Sequence, residues 1–115
     1  MSSAADDLLQ GTLKMLVLKA LTLEPMHGWG IGHRIGQLSG EVLRVQQGSL
    51  YPALQRMLRH GWIRSEWRVT ENNRRARYFL LTTAGRRQLE RQTAVWSRVS
   101  TAVNGILELR FAEGA

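Results

Sequence analysis

Arginine side chains dominate the part of the chain between residues 54 and 91. This segment holds ten arginines and only three acidic residues, which are Glu66, Glu71 and Glu90. It carries the whole net charge of +7, because the basic and acidic residues elsewhere cancel. The planar guanidinium of arginine forms paired hydrogen bonds with phosphate oxygens and with guanine edges. The segment is therefore a candidate nucleic-acid surface, and the alternative is a basic face that is simply solvated.

A second group of candidate side chains surrounds Pro52, in the stretch Gln47-Gly48-Ser49-Leu50-Tyr51-Pro52. The pattern predicts a helix with Ser49 as its N-cap, Pro52 in its first turn, an end near His60 and Gly61 as its C-cap. Its buried stripe consists of Leu50, Leu54, Met57 and Leu58. Its other side carries Tyr51, Gln55, Arg56 and Arg59. Glutamine pairs with adenine and arginine with guanine, so this helix is a candidate for reading the major groove.

Residues suited to metal binding or catalysis do not form a recognisable set. The chain has no cysteine, which excludes a disulfide scaffold, a cysteine zinc site and a thiol nucleophile. His27, His33 and His60 lack metal-ligand spacing, and we interpret His27 as a packing residue at a helix entry. The run Gly28-x-Gly30-x-Gly32 fails the dinucleotide-binding pattern, and Ser49 has no base nearby in the sequence. The sequence therefore predicts no metal, no cofactor and no enzymatic activity.

The elements that position these side chains follow from the hydrophobic periodicity. It predicts helices over residues 8–23 and 28–39, with extended or irregular chain over 40–47. Alternation predicts two strands, over 62–69 and 75–81, joined by a turn in which Asn72 or Asn73 is left-handed. This hairpin carries the remaining candidate DNA contacts, which are Asn73, Arg74, Arg75 and Arg77.

A final helix is predicted over about residues 83–111, capped by Thr82 or Thr83. Its apolar residues recur at seven-residue spacing, which is typical of helices that pack on another helix. A helix of about 28 residues is roughly 42 Å long and would overhang a domain of about 80 residues, so the simplest partner is a second copy of the chain. The predicted dimer-interface residues are Leu89, Trp96, Val99, Val103 and Ile106.

The order of three helices, a hairpin and a long helix is that of a winged helix-turn-helix with a dimerisation arm. The predicted fold class is therefore mostly α with a small β-hairpin. A DNA-binding domain would span residues 1–82, and a C-terminal dimerisation helix would span residues 83–115. A dimer would place two reading helices about one DNA turn apart on a palindromic operator. No apolar run approaches the ~18 residues of a membrane span, and residues 1–7 lack the apolar core of an export signal.

The chain resembles PadR-type transcriptional regulators, in particular the short members with a single C-terminal helix. The matching stretches follow in order at family spacing. They are Leu-Leu-Gln-Gly-Thr-Leu at 8–13, His-Gly-Trp-Gly-Ile at 27–31, Gln-Gly-Ser-Leu-Tyr-Pro-Ala-Leu at 47–54, Asn-Asn-Arg-Arg-Ala-Arg-Tyr-Phe-Leu-Leu-Thr at 72–82 and Ala-Gly-Arg at 84–86. The resemblance covers about residues 8–110. The chain departs from the family pattern at Trp29, where tyrosine is usual, and at Gly30, which is often glutamate.

The resemblance implies a cytoplasmic homodimeric repressor that releases double-stranded DNA when it binds a small molecule or responds to another signal. By position, it assigns phosphate contacts to Ser49 and Tyr51 and a wing-tip role to Arg74 and Arg75. For Tyr51 the alternative is packing beside the apolar stripe. For the whole chain the alternative is a winged-helix module that binds protein or RNA rather than operator DNA.

Trp96 has two interpretations. The stretch Val-Trp-Ser-Arg-Val at 95–99 is similar to multidrug-sensing members of the family, in which paired tryptophans of two C-terminal helices stack on flat aromatic compounds. That similarity implies a planar aromatic effector at Trp96, bound by stacking and burial. The alternative is that Trp96 is only part of the dimer core.

Overall fold

The computed structural model describes residues 4–112. In chain order the elements are α1 (Ala4–Leu21), β1 (Met26–His27), α2 (Gly28–Leu38), α3 (Gln47–Arg59), β2 (Ile63–Val69), β3 (Arg75–Leu81) and α4 (Thr83–Leu107). Residues 1–3 and 113–115 lie outside the described residues. The outer ends of the predicted domains 1–82 and 83–115 therefore lie outside them too, as does the start of the segment 1–7. The division between these domains stays a prediction. The predicted fold class is confirmed: among the described residues, four helices accompany one small antiparallel sheet.

Apolar residues from the first three helices and the sheet form a single core. Helix α3 buries the predicted stripe, with Leu50, Leu54 and Met57 fully inside and Leu58 partly buried. The largest buried side chains around them are Val17, Leu18, Ile31 and Phe79. Because this stripe faces inward, the opposite side of α3 lies at the surface.

The first two helices lie close to their predicted positions. Helix α2 ends one residue before the predicted 39. His27 stands at its entry as predicted, and its Nδ1 accepts a hydrogen bond from the Gly30 N–H at 3.0 Å. Helix α1 begins at Ala4, ahead of the predicted residue 8. It ends before the predicted residue 23 because the N–H groups of Thr22 and Leu23 bond to carbonyls three residues back.

Helix α3 begins two residues earlier than predicted, and the prediction of Ser49 as its N-cap is wrong. The N-cap is Gln46, which makes no side-chain capping bond, while its carbonyl accepts from the Leu50 N–H at 3.0 Å. Pro52 therefore lies inside the helix rather than in its first turn. Because proline has no N–H, it cannot donate the helical hydrogen bond to the Gly48 carbonyl. Burial of the apolar stripe stabilises this helix, so it extends upstream without a side-chain cap.

Within residues 4–112 the sheet has three strands, in the order β1-β3-β2. Strands β2 and β3 form the predicted hairpin and pair from Ile63 with Leu81 to Val69 with Arg75. The two-residue strand β1 was not predicted, because two residues are too few to show alternation. It pairs only with Tyr78 and Phe79, so within the described residues the outer half of β3 has no strand beside it on that edge.

Four residues connect the end of α3 to the start of α4, and we call them the joint: Gly61, Trp62, Thr82 and Gly85. Helix α3 ends at Arg59, and its C-cap is His60, so the prediction of Gly61 as the C-cap is wrong by one residue. Gly61 follows the cap with a left-handed φ of 73°. The Thr82 hydroxyl donates to the Gly61 carbonyl at 2.6 Å and accepts from the Gly85 N–H at 3.0 Å. The Thr82 N–H donates to the Trp62 carbonyl at 3.1 Å. Thr82 is therefore the N-cap of α4, and it fixes that helix directly to the end of α3.

Helix α4 projects away from the rest of the molecule. Its 25 residues span about 37 Å, and the molecule measures 65 × 30 × 21 Å. Near its start, Gly85 is buried and Leu89 packs on the core of its own chain. The helix ends at Leu107, four residues before the predicted end, just after Asn104 and Gly105, both of which are poor helix formers.

Candidate nucleic-acid interface

The surface of α3 presents the polar side chains that the sequence singles out. Tyr51, Pro52, Gln55, Arg56 and Arg59 are exposed, and Ser49 is half-buried. Hydroxyl, carboxamide and guanidinium groups thus share one face of a rigid helix. These are the groups that bind phosphates and the edges of bases.

Tyr51 reaches from α3 to the first residue of α2. Its side chain is 50% exposed, so it is not part of the core. Its ring and hydroxyl lie against the backbone of Gly28, where an added Cβ would stand 3.2 Å from the Tyr51 oxygen. The absence of a side chain at residue 28 thus sets the position of this tyrosine.

The tip of the hairpin, which is the wing of the fold, has a tightly bonded turn. The Asn73 N–H donates to the Thr70 carbonyl at 2.9 Å, and the Thr70 N–H donates to the Arg74 carbonyl at 2.7 Å. Asn73 has a φ of 59°, so of the two predicted asparagines it is the left-handed one. A turn followed by a left-handed residue is a common three-residue hairpin loop. The loop leaves Arg74 and Arg75 exposed at the tip.

Aromatic rings and a hydroxyl hold the arginines of the wing in place. The Arg75 guanidinium lies 5.3 Å from the centre of the Trp67 ring, and that of Arg77 lies 5.7 Å from the Phe79 ring. Arg77 also donates from Nε to the Ser65 hydroxyl at 2.8 Å. These contacts order the side chains without neutralising their charge. Both arginines keep a full positive charge for an anionic partner.

The face of β2 opposite Trp67 carries Arg64 and Arg68, and both are paired with Glu66. Arg68 donates from Nε to Glu66 Oε1 at 2.5 Å, and Arg64 donates to Glu66 Oε2 at 3.3 Å. The hydrogen bond from Arg68, followed by the charge of Arg68 and the contacts of Arg64, lowers the pKa of the Glu66 carboxyl. The unpaired positive charge of the wing is therefore concentrated on Arg74, Arg75 and Arg77.

A groove with a volume of about 1020 Å³ separates the wing from α3 and the start of α2. It brings together five of the predicted DNA contacts, which are Tyr51, Gln55, Arg74, Arg75 and Arg77. The other five, Ser49, Pro52, Arg56, Arg59 and Asn73, do not line it. Two acids also line the groove, but Glu24 is paired with Arg34 at 3.3 Å, and the arginines outnumber the acids. The groove is thus positively charged and open to a chain of phosphates.

Trp67 is one of the groove residues that were not predicted from the sequence as DNA contacts. It is 61% exposed, on the same face of β2 as the buried Ile63. The alternation of residues 62–69 places Trp67 on the same face as Ile63, but it does not show how exposed each position is. The hairpin extends beyond the core. The face of β2 that buries Ile63 therefore becomes a wall of the groove where it reaches Trp67.

Helix α4 presents the predicted interface residues as an exposed apolar stripe. Trp96 is 47% exposed, and Val99, Val103 and Ile106 are also exposed. Leu89 differs from these four because it is partly buried on its own chain. None of the five lines the groove at α3.

Residues 4–112 contain neither a cluster of metal ligands nor a helix that could span a membrane. That part of the chain holds no group of three or more histidine, cysteine or acidic side chains that could bind a metal ion. Its helices are all too short or too polar to cross a membrane.

The sequence is similar to known proteins. A family model described as the transcriptional regulator PadR-like family matches residues 17–91. Over 90 residues, the chain is 42% identical to an uncharacterized 37.1 kDa protein in transposon Tn4556 of Streptomyces fradiae. The match covers 78% of this chain but 24% of that protein, so the chain spans about a quarter of its relative's length.

Solved structures share the fold over most of the chain. A PadR-like transcriptional regulator from Bacillus cereus matches with a TM-score of 0.78 and 27% identity, covering 90% of this chain and 99% of that one. A PadR family transcriptional regulator from Eggerthella lenta matches with a TM-score of 0.75 and 30% identity, covering 90% of this chain and 88% of that one. Because the family model matches more than half of its residues, the chain belongs to the PadR-like family of transcriptional regulators, which are not enzymes.

Proposed function

We propose that this protein is a sequence-specific DNA-binding repressor that acts as a homodimer in the cytoplasm, where it meets its DNA. The observation that carries the proposal is the groove between α3 and the wing, which combines the side chains of both elements. In this arrangement α3 enters the major groove, where Gln55 and Arg56 read base edges. Arg74 and Arg75 of the wing contact the adjacent backbone or minor groove.

A gel shift tests sequence specificity. The probe is the region upstream of the protein's own gene, and the competitor is a scrambled duplex of the same composition, both at ~150 mM salt. We expect the upstream region to bind at least a hundredfold more tightly, because specific sites typically exceed non-specific DNA by a factor of about 10³ or more. Equal binding of the two duplexes would mean that the basic surface binds DNA without sequence specificity. It would favour the alternative of a winged-helix module that binds RNA or protein. Loss of transcription from the bound promoter in a purified system would establish repression.

The dimer part of the proposal rests on the exposed stripe of α4. Trp96 and Val103 are seven residues apart, as are Val99 and Ile106, so they follow one side of the helix. Four exposed apolar side chains in a row on a projecting helix favour a second copy of the same helix as partner. A dimer predicts a footprint with two half-sites about one DNA turn apart. A single protected half-site would contradict it.

The signal that releases DNA is proposed to be a planar aromatic compound at Trp96. In a dimer built on α4, the two Trp96 rings would approach each other and could enclose a flat ligand by stacking. The test is a titration of the wild type and of Trp96→Phe with planar aromatic compounds, monitored by tryptophan fluorescence and by loss of operator binding. An unchanged ligand affinity in Trp96→Phe would leave Trp96 as dimer core alone.

A further inference from the structure

We propose that Trp67 is a DNA-contact residue whose indole packs on the deoxyribose of the strand that crosses between α3 and the wing. Arg75, held beside the indole, would bind the neighbouring phosphate. The proposal rests on the proposed DNA-binding function and deepens it, because it assigns a contact to a residue of the groove wall.

The exposure of Trp67 is the first observation. It lies on the same face of the hairpin as Ile63 and Phe79, both of which are buried. Trp67 is nevertheless 61% exposed, so most of a large apolar ring faces the groove. An indole left in water gives up much of the free energy that burial of its apolar surface would contribute. A partner that covers this ring would recover that free energy.

The neighbourhood of the ring identifies the chemistry of the partner. Arg75 lies 5.3 Å from the ring centre, and Arg74 and Arg77 line the same groove. Apolar surface flanked by uncompensated arginines suits a polyanion that also has apolar patches. A nucleic-acid strand has both, since each deoxyribose presents C–H groups between two phosphates. An acidic protein segment would need apolar side chains alternating with carboxylates to match the same pattern.

The position of the groove favours the backbone over the bases. Gln55 and Tyr51 form the α3 wall of the groove, and Trp67 forms part of the opposite wall. When α3 lies in the major groove of DNA, the sugar-phosphate strand that borders the major groove passes through the protein groove, between α3 and the wing. Trp67 therefore meets sugars along the strand, and it contributes to affinity for any sequence rather than to the choice of bases.

The salt dependence of DNA binding distinguishes the contribution of Trp67 from that of Arg75. We expect Trp67→Ala to weaken operator binding by roughly five- to thirtyfold, as removal of a buried tryptophan contact does at other interfaces. The slope of log K against log salt should stay unchanged, because an indole neutralises no phosphate. Arg75→Ala should weaken binding and reduce the slope by about one unit.

Solvent access to the ring gives a second measurement that does not depend on how well the alanine variant folds. Acrylamide quenching of tryptophan emission is measured with and without operator DNA, in the wild type and in Trp67→Phe. We expect DNA to protect part of the wild-type emission and this protection to be reduced in Trp67→Phe. The protection that remains would come from Trp29, which is also exposed and lines the groove. Leu38→Ala is the matched control, since Leu38 is 64% exposed but does not line the groove. It should bind the operator as the wild type does.

The outcomes separate this proposal from the general one. Suppose that the wild type binds the operator. The assignment of Trp67 is then overturned, while the proposed function stands, if folded Trp67→Ala binds the operator equally well. The same holds if DNA protects the emission of the wild type and of Trp67→Phe equally. If the wild type binds no operator or related DNA, the proposed function fails first. Protection of Trp67 by an acidic peptide but not by DNA would overturn both.

Discussion

The hydroxyl of Tyr51, on α3, packs against the backbone of Gly28, the first residue of α2. An added Cβ at residue 28 would stand 3.2 Å from the Tyr51 oxygen and 3.3 Å from its ring carbon Cζ. Tyr51 is half exposed on the side of α3 that faces the groove. The first residue of α2 therefore helps to set where a candidate phosphate contact of α3 can reach.

The variant Gly28→Ala should displace Tyr51 and weaken operator binding by roughly three- to tenfold, about the contribution of one ordinary hydrogen bond. The ring end of Tyr51 can move aside, so we expect less than about 1 kcal/mol change in the free energy of unfolding. Gel shift and thermal unfolding measure the two effects. Gly11→Ala is the control, because a Cβ there meets nothing within 4 Å. Unchanged operator affinity in Gly28→Ala would remove Tyr51 from the DNA contacts.

Gly85→Ala should destabilise the protein by about 2–3 kcal/mol or more, because a Cβ at residue 85 would overlap the backbone carbonyl of Trp62. Backbone in the joint cannot move aside as a flexible side chain can. Gly105→Ala, in the same helix but with open space around the added Cβ, should instead stabilise it by up to ~1 kcal/mol. Denaturant unfolding of both variants checks the pair. Similar stability of the two variants would contradict the close packing at residue 85.

Arg74→Ala should weaken binding to all DNA sequences and reduce the slope of log K against log salt by about one unit, because Arg74 is expected to contact a phosphate. Arg64→Ala removes the same charge from a residue paired with Glu66 on the other face of the wing. It should leave the slope nearly unchanged. Binding isotherms over a range of salt concentrations give both slopes. A loss confined to one operator position in Arg74→Ala would indicate a base contact instead.

The carboxyl of Glu66 should titrate below its ordinary value of 4.5, chiefly because Arg68 donates a hydrogen bond to it. A pKa lowered in the folded state stabilises the protein above the unfolded value, and this contribution is lost as the pH falls through the folded pKa. Arg68→Ala should move the pKa of Glu66 up toward 4.5, and by more than Arg64→Ala does. NMR titration of the side-chain carboxyl carbon measures all three values. A larger shift in Arg64→Ala would reverse the assigned order of the two partners.

Val103→Asp should convert the proposed dimer to a monomer, because it would place a charge in the apolar stripe of α4. Thr101→Asp adds the same charge at an exposed position outside the seven-residue repeat and should leave the dimer intact. Sedimentation equilibrium gives the mass of each variant. The monomeric variant should bind the operator at least tenfold more weakly, since it would engage one half-site at a time. A dimeric Val103→Asp would place the interface elsewhere.

The hairpin and the buried stripe of α3 were predictable from the sequence because their signals are local and periodic. Alternation marked β2 and β3, and the recurrence of Leu50, Leu54 and Met57 marked the inner face of α3. The start of α3 was not predictable in the same way. Capping preference pointed to Ser49, whereas tertiary burial of the stripe allowed the helix to begin at Gln47 with no side-chain cap.

The groove was only partly predictable, since it depends on distances between elements. The sequence identified side chains on each of its walls but not their approach across it. Strand β1 has only two residues, and the contact of Tyr51 with Gly28 joins positions far apart in the chain. The exposure of Trp67 depends on how far the hairpin extends beyond the core, and alternation contains no information about that length.

The joint leaves no flexible linker between the end of α3 and the start of α4. Thr82 caps one helix while its hydroxyl donates to the carbonyl of the glycine that follows the C-cap of the other. Mechanically, α4 is a lever roughly 37 Å long, fixed at its base to α3, the helix proposed to face DNA. In a dimer, any change in the angle between two such levers would be transmitted to α3 as a rotation. The spacing of the two reading helices would then be set by whatever fills the space between the α4 helices.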